Sequence, residues 1–200
     1  MTLSLVPELA SAVEEAAAVI SEGGIVAFPT ETYYGLAVDP FNRQALDRLF
    51  ALKQRSLSKP VLTIIESQAQ LPTISTGIPP CFNSLMARFW PGPLTLIFNA
   101  RPELPPRITA ASGTIGARIS SHPLAQSLVR AVGRPITATS ANISGQSPAL
   151  DAARLRAIFG SGLDYILDGG FTSGGSGSTI IGCRDGEPCL LRPGAVKIVC

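Results

Sequence analysis

Charge is scarce in this 200-residue chain. Asp, Glu, Lys and Arg make up only 15% of it, and just three residues are lysine, at positions 53, 59 and 197. Histidine occurs once, at His122, and the four cysteines (81, 183, 189 and 200) form no C-x-x-C pair, so a zinc site is not expected. The thiols read as ordinary buried or surface groups in a reducing compartment. No apolar run approaches the length of a membrane span. The N-terminus carries Glu8, Glu14 and Glu15 where a signal peptide needs a basic start and an apolar stretch. A soluble, cytoplasmic protein without membrane contact is the expectation. Neither G-x-x-x-x-G-K-[ST] nor a strand-following G-x-G-x-x-G occurs, which excludes a P-loop or Rossmann fingerprint but not a nucleotide site of another kind.

What is present points to a folded enzyme-sized unit. Apolar residues reach 46%, too many for a disordered chain, and the length suits a single domain over 1–200. Glycine (19) and proline (17) are abundant, so many turns are expected. The net charge of +2 hides an asymmetry: between positions 41 and 147 eleven basic residues face three acidic ones, Asp47, Glu66 and Glu103. Such an excess suits an anionic ligand, nucleotide or nucleic acid; a scatter of solvated arginines is the alternative.

Hydrophobic periodicity and punctuation predict helices over 7–21, from Asn42 onward, over 82–89, over 123–132, and from an Asp151 cap to Gly160. Strands are predicted over 25–28, 61–65, 94–98, 115–119, 136–139, 165–167, 179–181, 190–191 and 196–199. Helices alternate with strands and then strands cluster, which implies an α/β fold with a twisted, open, mixed parallel and antiparallel sheet. The segment 169–177, rich in glycine and serine, reads as flexible.

Four places carry chemistry. The PTETYYGL run at 29–36 puts hydroxyls and a carboxylate directly after a buried strand, the usual ligand position of an open α/β sheet. A polar turn capping the strand is the plainer reading. In KQRSLSKP at 53–60 two of the three lysines flank an arginine, a set able to clamp phosphates or merely to favour a helix C-terminus. The TSANISGQSP run at 139–148 offers small hydroxyls and backbone amides to a close-approaching ligand, or a simple turn. Arg118 ends a predicted strand and suits a bidentate grip on a carboxylate; Arg192 shares its ambiguity, and His122 before Pro123 is acid, base or structural.

Taken in order, PTETYYGL, KQRSLSKP, PGPLT (91–95), GARISSHP (116–123), TSANISGQSP, LDGG (167–170) with GST (177–179), and LRPG (191–194) resemble one family: the threonylcarbamoyl-AMP synthases, with their YrdC/Sua5/TsaC-type domain. The resemblance spans nearly the whole chain and matches the short, single-domain form. It implies a YrdC-like sheet with a concave basic face. It implies a nucleotidyltransferase that converts L-threonine, bicarbonate and ATP, with Mg2+ accompanying the phosphates, into threonylcarbamoyl-AMP and pyrophosphate. The product would serve threonylcarbamoyladenosine modification of tRNA, which makes tRNA or a downstream threonylcarbamoyl transferase the partner.

Residue by residue, the resemblance assigns Lys53 and Arg55 to catalysis. It assigns Thr32, Arg118, Ala138 and Ser178 to threonine, and Arg55, Lys59, Thr114, Ser140, Asn142, Ser147 and Arg192 to ATP. Two positions depart from the family pattern: Ile64 stands where many relatives carry histidine, and Gly177 where an acidic residue is usual. The main rival is a YrdC-like protein that binds RNA, double-stranded RNA included, without adenylation. Against it, aromatic residues for base stacking make up only 6% of the chain. The related carbamoyl-adenylate domain of hydrogenase maturation and a purely structural module are further alternatives.

Overall fold

The structure is a computed structural model that describes residues 6–198. The chain runs α1 (Pro7–Ser21), β1 (Val26–Pro29), β2 (Tyr34–Ala37), α2 (Arg43–Lys53), β3 (Thr63–Ile64), α3 (Leu71–Ile74), α4 (Asn83–Phe89), β4 (Leu94–Asn99), α5 (Pro106–Thr109) and β5 (Thr114–Arg118). It continues with α6 (Pro123–Val132), β6 (Ile136–Thr137), β7 (Thr139–Ser140), α7 (Ala152–Phe159), β8 (Tyr165–Ile166), β9 (Thr179–Arg184) and β10 (Glu187–Arg192).

Punctuation in the sequence explains where the helices start. Proline occupies the first turn of α1 and α6, where its missing N–H costs nothing. Asn42 accepts from the Ala45 amide at 3.0 Å and Asp151 from the Arg154 amide at 2.7 Å, so each caps its helix as its residue type suggests.

The strands form two mixed sheets. The four-stranded one has the order β7-β2-β1-β8, and the six-stranded one β10-β9-β4-β5-β3-β6. The predicted strand over 136–139 divides between them: β6 pairs with β3, and β7 pairs with β2. At the crossing, the Thr137 amide donates to Val38 O (3.0 Å) and the Ala138 amide to Leu62 O (2.7 Å). One strand therefore belongs to both sheets.

Two apolar cores hold the layers. Val13, Ala16, Ala17 and Ile20 of α1 meet Leu124, Leu128 and Val132 of α6 over Val26 and Phe28 of β1. The larger core lies with α2, α4 and the six-stranded sheet, and includes Leu46, Leu49, Phe82, Trp90, Leu96 and Phe98. Trp90 enters it with its indole N–H donated to Leu94 O at 2.6 Å, so no polar atom of the ring is left without a partner.

Besides the short helices α3 and α5, which were not predicted, two further strand assignments differ from the sequence reading. β2 was not expected: Tyr34–Ala37 is buried throughout and pairs antiparallel with β1. Gly35 is required there, because a Cβ would sit 3.0 Å from the Phe28 ring of the facing residue. The predicted strand over 196–199 does not form across 196–198, and Val199 lies outside the described residues. Val196 is instead pinned by one side chain: Thr179 Oγ1 donates to Val196 O at 2.7 Å and accepts from its amide at 3.0 Å. Among the described residues, no helix is long and apolar enough to cross a membrane.

Candidate active site

The β1–β2 turn, the start and end of β5, the β6–β7 crossing and the ends of β9 and β10 surround a cavity of about 730 Å³. Three arginines, Arg55, Arg118 and Arg192, line it, together with the hydroxyls of Thr30, Thr32, Ser112, Thr114, Ser140 and Ser178. Among the described residues, none with a carboxylate side chain lines it. Leu62, Ile97, Ile180 and Leu191 supply apolar surface.

Each cation is held differently. Arg55, two residues past α2, donates from Nε to Lys59 O (3.2 Å) and from Nη2 to Pro60 O (2.7 Å), so its own loop aims it. Arg192, the last residue of β10, donates from Nη2 to Ser178 O at 2.7 Å and to Ser178 Oγ at 3.3 Å. Arg118, the last residue of β5, donates from Nη1 to Glu31 Oε1 at 2.6 Å, and the side chains of this pair are only 8% and 12% exposed. Burial lowers the pKa of all three guanidinium groups. Glu31 works against the fall at Arg118, and Arg118 itself adds to the fall at Arg192. They stay cationic, since a guanidinium has no accessible neutral form in a protein.

The hydroxyls are fixed in turn. Thr30 closes the β1–β2 turn by donating from Oγ1 to Tyr33 O at 2.6 Å, which leaves Thr32 facing the cavity. The polar-turn reading of PTETYYGL thus holds for Thr30, while Thr32 of the same loop lines the cavity. Ser178 Oγ accepts from Thr95 Oγ1 at 2.9 Å, and Thr114 Oγ1 shares a 2.8 Å hydrogen bond with Ser112. The glycine-rich segment expected to be flexible is tied to this hairpin. Tyr34 Oη donates to Gly170 O (2.8 Å) and accepts from the Gly169 amide (3.0 Å), while Tyr33 Oη donates to Gly175 O. Gly175, at φ +82°, takes a conformation that other residues rarely adopt.

Of the residues singled out from the sequence, Thr32, Arg55, Thr114, Arg118, Ala138, Ser140, Ser178 and Arg192 line the cavity. Lys53, Lys59, Asn142 and Ser147 do not. Lys59 and Ser147 are exposed beside it. Lys53 is 1% exposed and sits behind the 139–148 loop, where its ammonium donates to Asn142 O (2.8 Å), Asn142 Oδ1 (3.1 Å) and Ser140 O. Burial, and secondarily Arg55, pushes its pKa down to about 7; three hydrogen bonds to oxygen oppose that fall. Asn142 in turn accepts from Ser140 Oγ (2.8 Å) and donates to Gln146 O (2.6 Å), so it is the hub of the loop.

Ile64 lies in the core with Phe28 and Leu124 and does not line the cavity. Gly177 does line it, and a Cβ there would stand 3.5 Å from Arg192 Nη2. His122 precedes α6 with Nδ1 buried and unpartnered, and it does not line the cavity. Glu31 was marked by the sequence only as the carboxylate of a ligand-position turn and was given no role of its own; its signal was a lone carboxylate within a hydroxyl-rich turn.

The Sua5/YciO/YrdC family profile, described as "Telomere recombination", matches residues 18–194. The threonylcarbamoyl-AMP synthase of Bacillus subtilis (strain 168) is 40% identical over 185 residues, 92% of this chain and 54% of that protein. That of Nitrosococcus oceani is 39% identical over 77% of this chain and 83% of its own. The crystal structure of Pyrococcus abyssi Sua5 complexed with L-threonine superposes with a TM-score of 0.87 at 40% identity, over 91% of this chain and 54% of that one. The chain thus spans about half the length of the B. subtilis and P. abyssi proteins.

Proposed function

The chain belongs to the Sua5/YciO/YrdC family, and from that premise we propose that it is an L-threonylcarbamoyladenylate synthase. The observation that carries the reading is the convergence of Arg55, Arg118 and Arg192, from three separate parts of the sequence, on one hydroxyl-rich cavity. Two anions that repel each other, ATP and carboxylated threonine, must be held together, and opposed arginines do that.

Threonine's amine attacks the carbon of bicarbonate, and the new N–C bond replaces a C–O bond whose oxygen leaves as water, giving a carbamate. One carbamate oxygen then attacks the α-phosphorus of ATP, forming the new P–O bond as the α–β bridge breaks and pyrophosphate leaves. No covalent enzyme intermediate is needed, so the protein's task is positioning and charge stabilisation. Arg118 grips the threonine carboxylate, with Thr32, Ala138 and Ser178 around the amino acid. Arg55, Arg192, Thr114 and Ser140 face the nucleotide, and Ile97, Ile180 and Leu191 give its base an apolar surface. Lys59 and Ser147 reach phosphate and nucleotide from the rim. Lys53 and Asn142 act by shaping the loop. Magnesium would accompany ATP as part of the substrate and would help neutralise the charge of the departing pyrophosphate. The product passes to tRNA modification through a transferase, in the cytoplasm.

The test is pyrophosphate release from ATP and magnesium with a panel of amino acids. Release that requires both threonine and bicarbonate is expected. No release with any amino acid, alongside retained binding of RNA, would overturn the reading. Within the same assay, Arg55→Ala is expected to raise the KM for ATP ten- to hundred-fold, the loss of one charge-assisted phosphate contact, while threonine binding measured by calorimetry stays within two-fold.

A further inference from the structure

The three cavity arginines are not equivalent. Arg55 and Arg192 donate to neutral oxygens, of Lys59 and Pro60 and of Ser178 respectively, and among the described residues neither has a carboxylate partner. Arg118 alone is paired with one, Glu31, whose second oxygen accepts from the Ser120 hydroxyl. Ser120 in turn accepts from the His122 amide at 3.2 Å, so the carboxylate is fixed from two directions. Glu31 does not line the cavity; it stands behind the arginine that does. Through Arg118 the cavity therefore meets hydrogen-bond donors whose charge is already balanced, and through Arg55 and Arg192 it meets unbalanced charge.

That difference sorts anions. The attraction between a ligand and a site scales with the product of their charges. A polyphosphate carries three or four negative charges and an amino-acid carboxylate one, so neutralising one cation weakens the site for the polyphosphate several times more than for the carboxylate. The planar fork that fits a carboxylate is kept, since only one edge of the guanidinium is taken. We propose that Glu31 is a specificity-determining positioning residue: by neutralising Arg118 it bars phosphate groups from that end of the cavity and reserves it for the single carboxylate of the amino acid. The inference rests on the reading of the cavity as a shared ATP and threonine site.

Calorimetric binding of inorganic pyrophosphate and of L-threonine tests it without turnover. In the wild-type protein the two ligands are expected to bind together, each leaving the other's Kd within two-fold. Glu31→Gln preserves shape and can still hydrogen-bond Arg118 after an amide flip, but removes the charge. It is expected to bind pyrophosphate at least ten-fold more tightly and to make pyrophosphate and threonine mutually exclusive. Glu31→Asp, which keeps the charge, is expected to restore wild-type behaviour; a merely structural role would make Asp no better than Gln. Unchanged pyrophosphate affinity in Glu31→Gln would overturn the proposal. So would mutual exclusion in the wild-type protein, a measurement that needs no variant. Wild-type protein that binds pyrophosphate but no threonine would sink the substrate assignment instead, and the pyrophosphate comparison with Glu31→Gln would still decide the role of Glu31.

Discussion

Arg118→Met is expected to lower the stability of the protein by about 3–5 kcal/mol and to abolish measurable threonine binding. The first effect follows from what the substitution leaves behind. Glu31 is 12% exposed and its ion-pair partner is Arg118 at 2.6 Å, so removing the guanidinium strands a buried carboxylate. The second follows from the loss of the only cavity arginine with its charge already balanced. The two effects separate in the double variant. Arg118→Met with Glu31→Gln removes both charges together, and a buried pair replaced as a unit costs little. Chemical denaturation of the double variant is expected to recover most of the lost stability, while calorimetry shows no recovery of threonine binding. If threonine binding survives Arg118→Met, the division of the cavity between amino acid and nucleotide is wrong.

Lys53→Met is the second large expectation, and it turns on a lysine that never touches the cavity. Its hydrocarbon stem is buried as methionine's would be, so packing changes little. Asn142 O, however, loses its one donor, and Ser140 O and Asn142 Oδ1 each lose a donor while keeping another. One orphaned buried carbonyl and two weakened acceptors amount to about 2–3 kcal/mol. The backbone bond from the Ser144 amide to Lys53 O at 2.9 Å remains, so the loop loosens without detaching from α2. ATP affinity is expected to fall more than a hundred-fold, and amides 141–144 to exchange faster with solvent. A lysine acting on the reacting atoms would behave otherwise: kcat would fall with ATP affinity and melting temperature unmoved.

Lys53 also marks the border of what the sequence could reveal. Two lysines around an arginine at a helix end read as a phosphate clamp, because composition says that cations cluster but not which way each one faces. The three part company where α2 ends at Lys53: Arg55 is on the lining, Lys59 is exposed beside it and Lys53 is in the interior. The helices were legible because their start signals are local, as with the caps at Asn42 and Asp151. β2 was not, because nothing in Tyr34–Ala37 alternates. All four residues are buried, and the strand exists through its pairing with β1 rather than through its own pattern. The division of 136–140 between two sheets was hidden for the same reason, since it is decided by pairing with Thr63 and Ile64 on one side and with Gly35 and Leu36 on the other, all far away in sequence. Glu31 went unassigned because its importance lies in Arg118 and Ser120, 87 and 89 positions downstream.

The crossing strand has a consequence for cooperativity. Thr137 and Ala138 are neighbours, yet their amide protons are committed to Val38 and Leu62, on the margins of different sheets. Neither sheet can peel away without disturbing the pair, so the fold lacks the option of shedding one layer and keeping the other. Local openings belong to places such as the Asp185-Gly186 hairpin tip, which carries no such double commitment. The part of the cavity wall at Ala138 therefore opens with the global unfolding equilibrium, whereas the 139–148 loop beside it can loosen on its own.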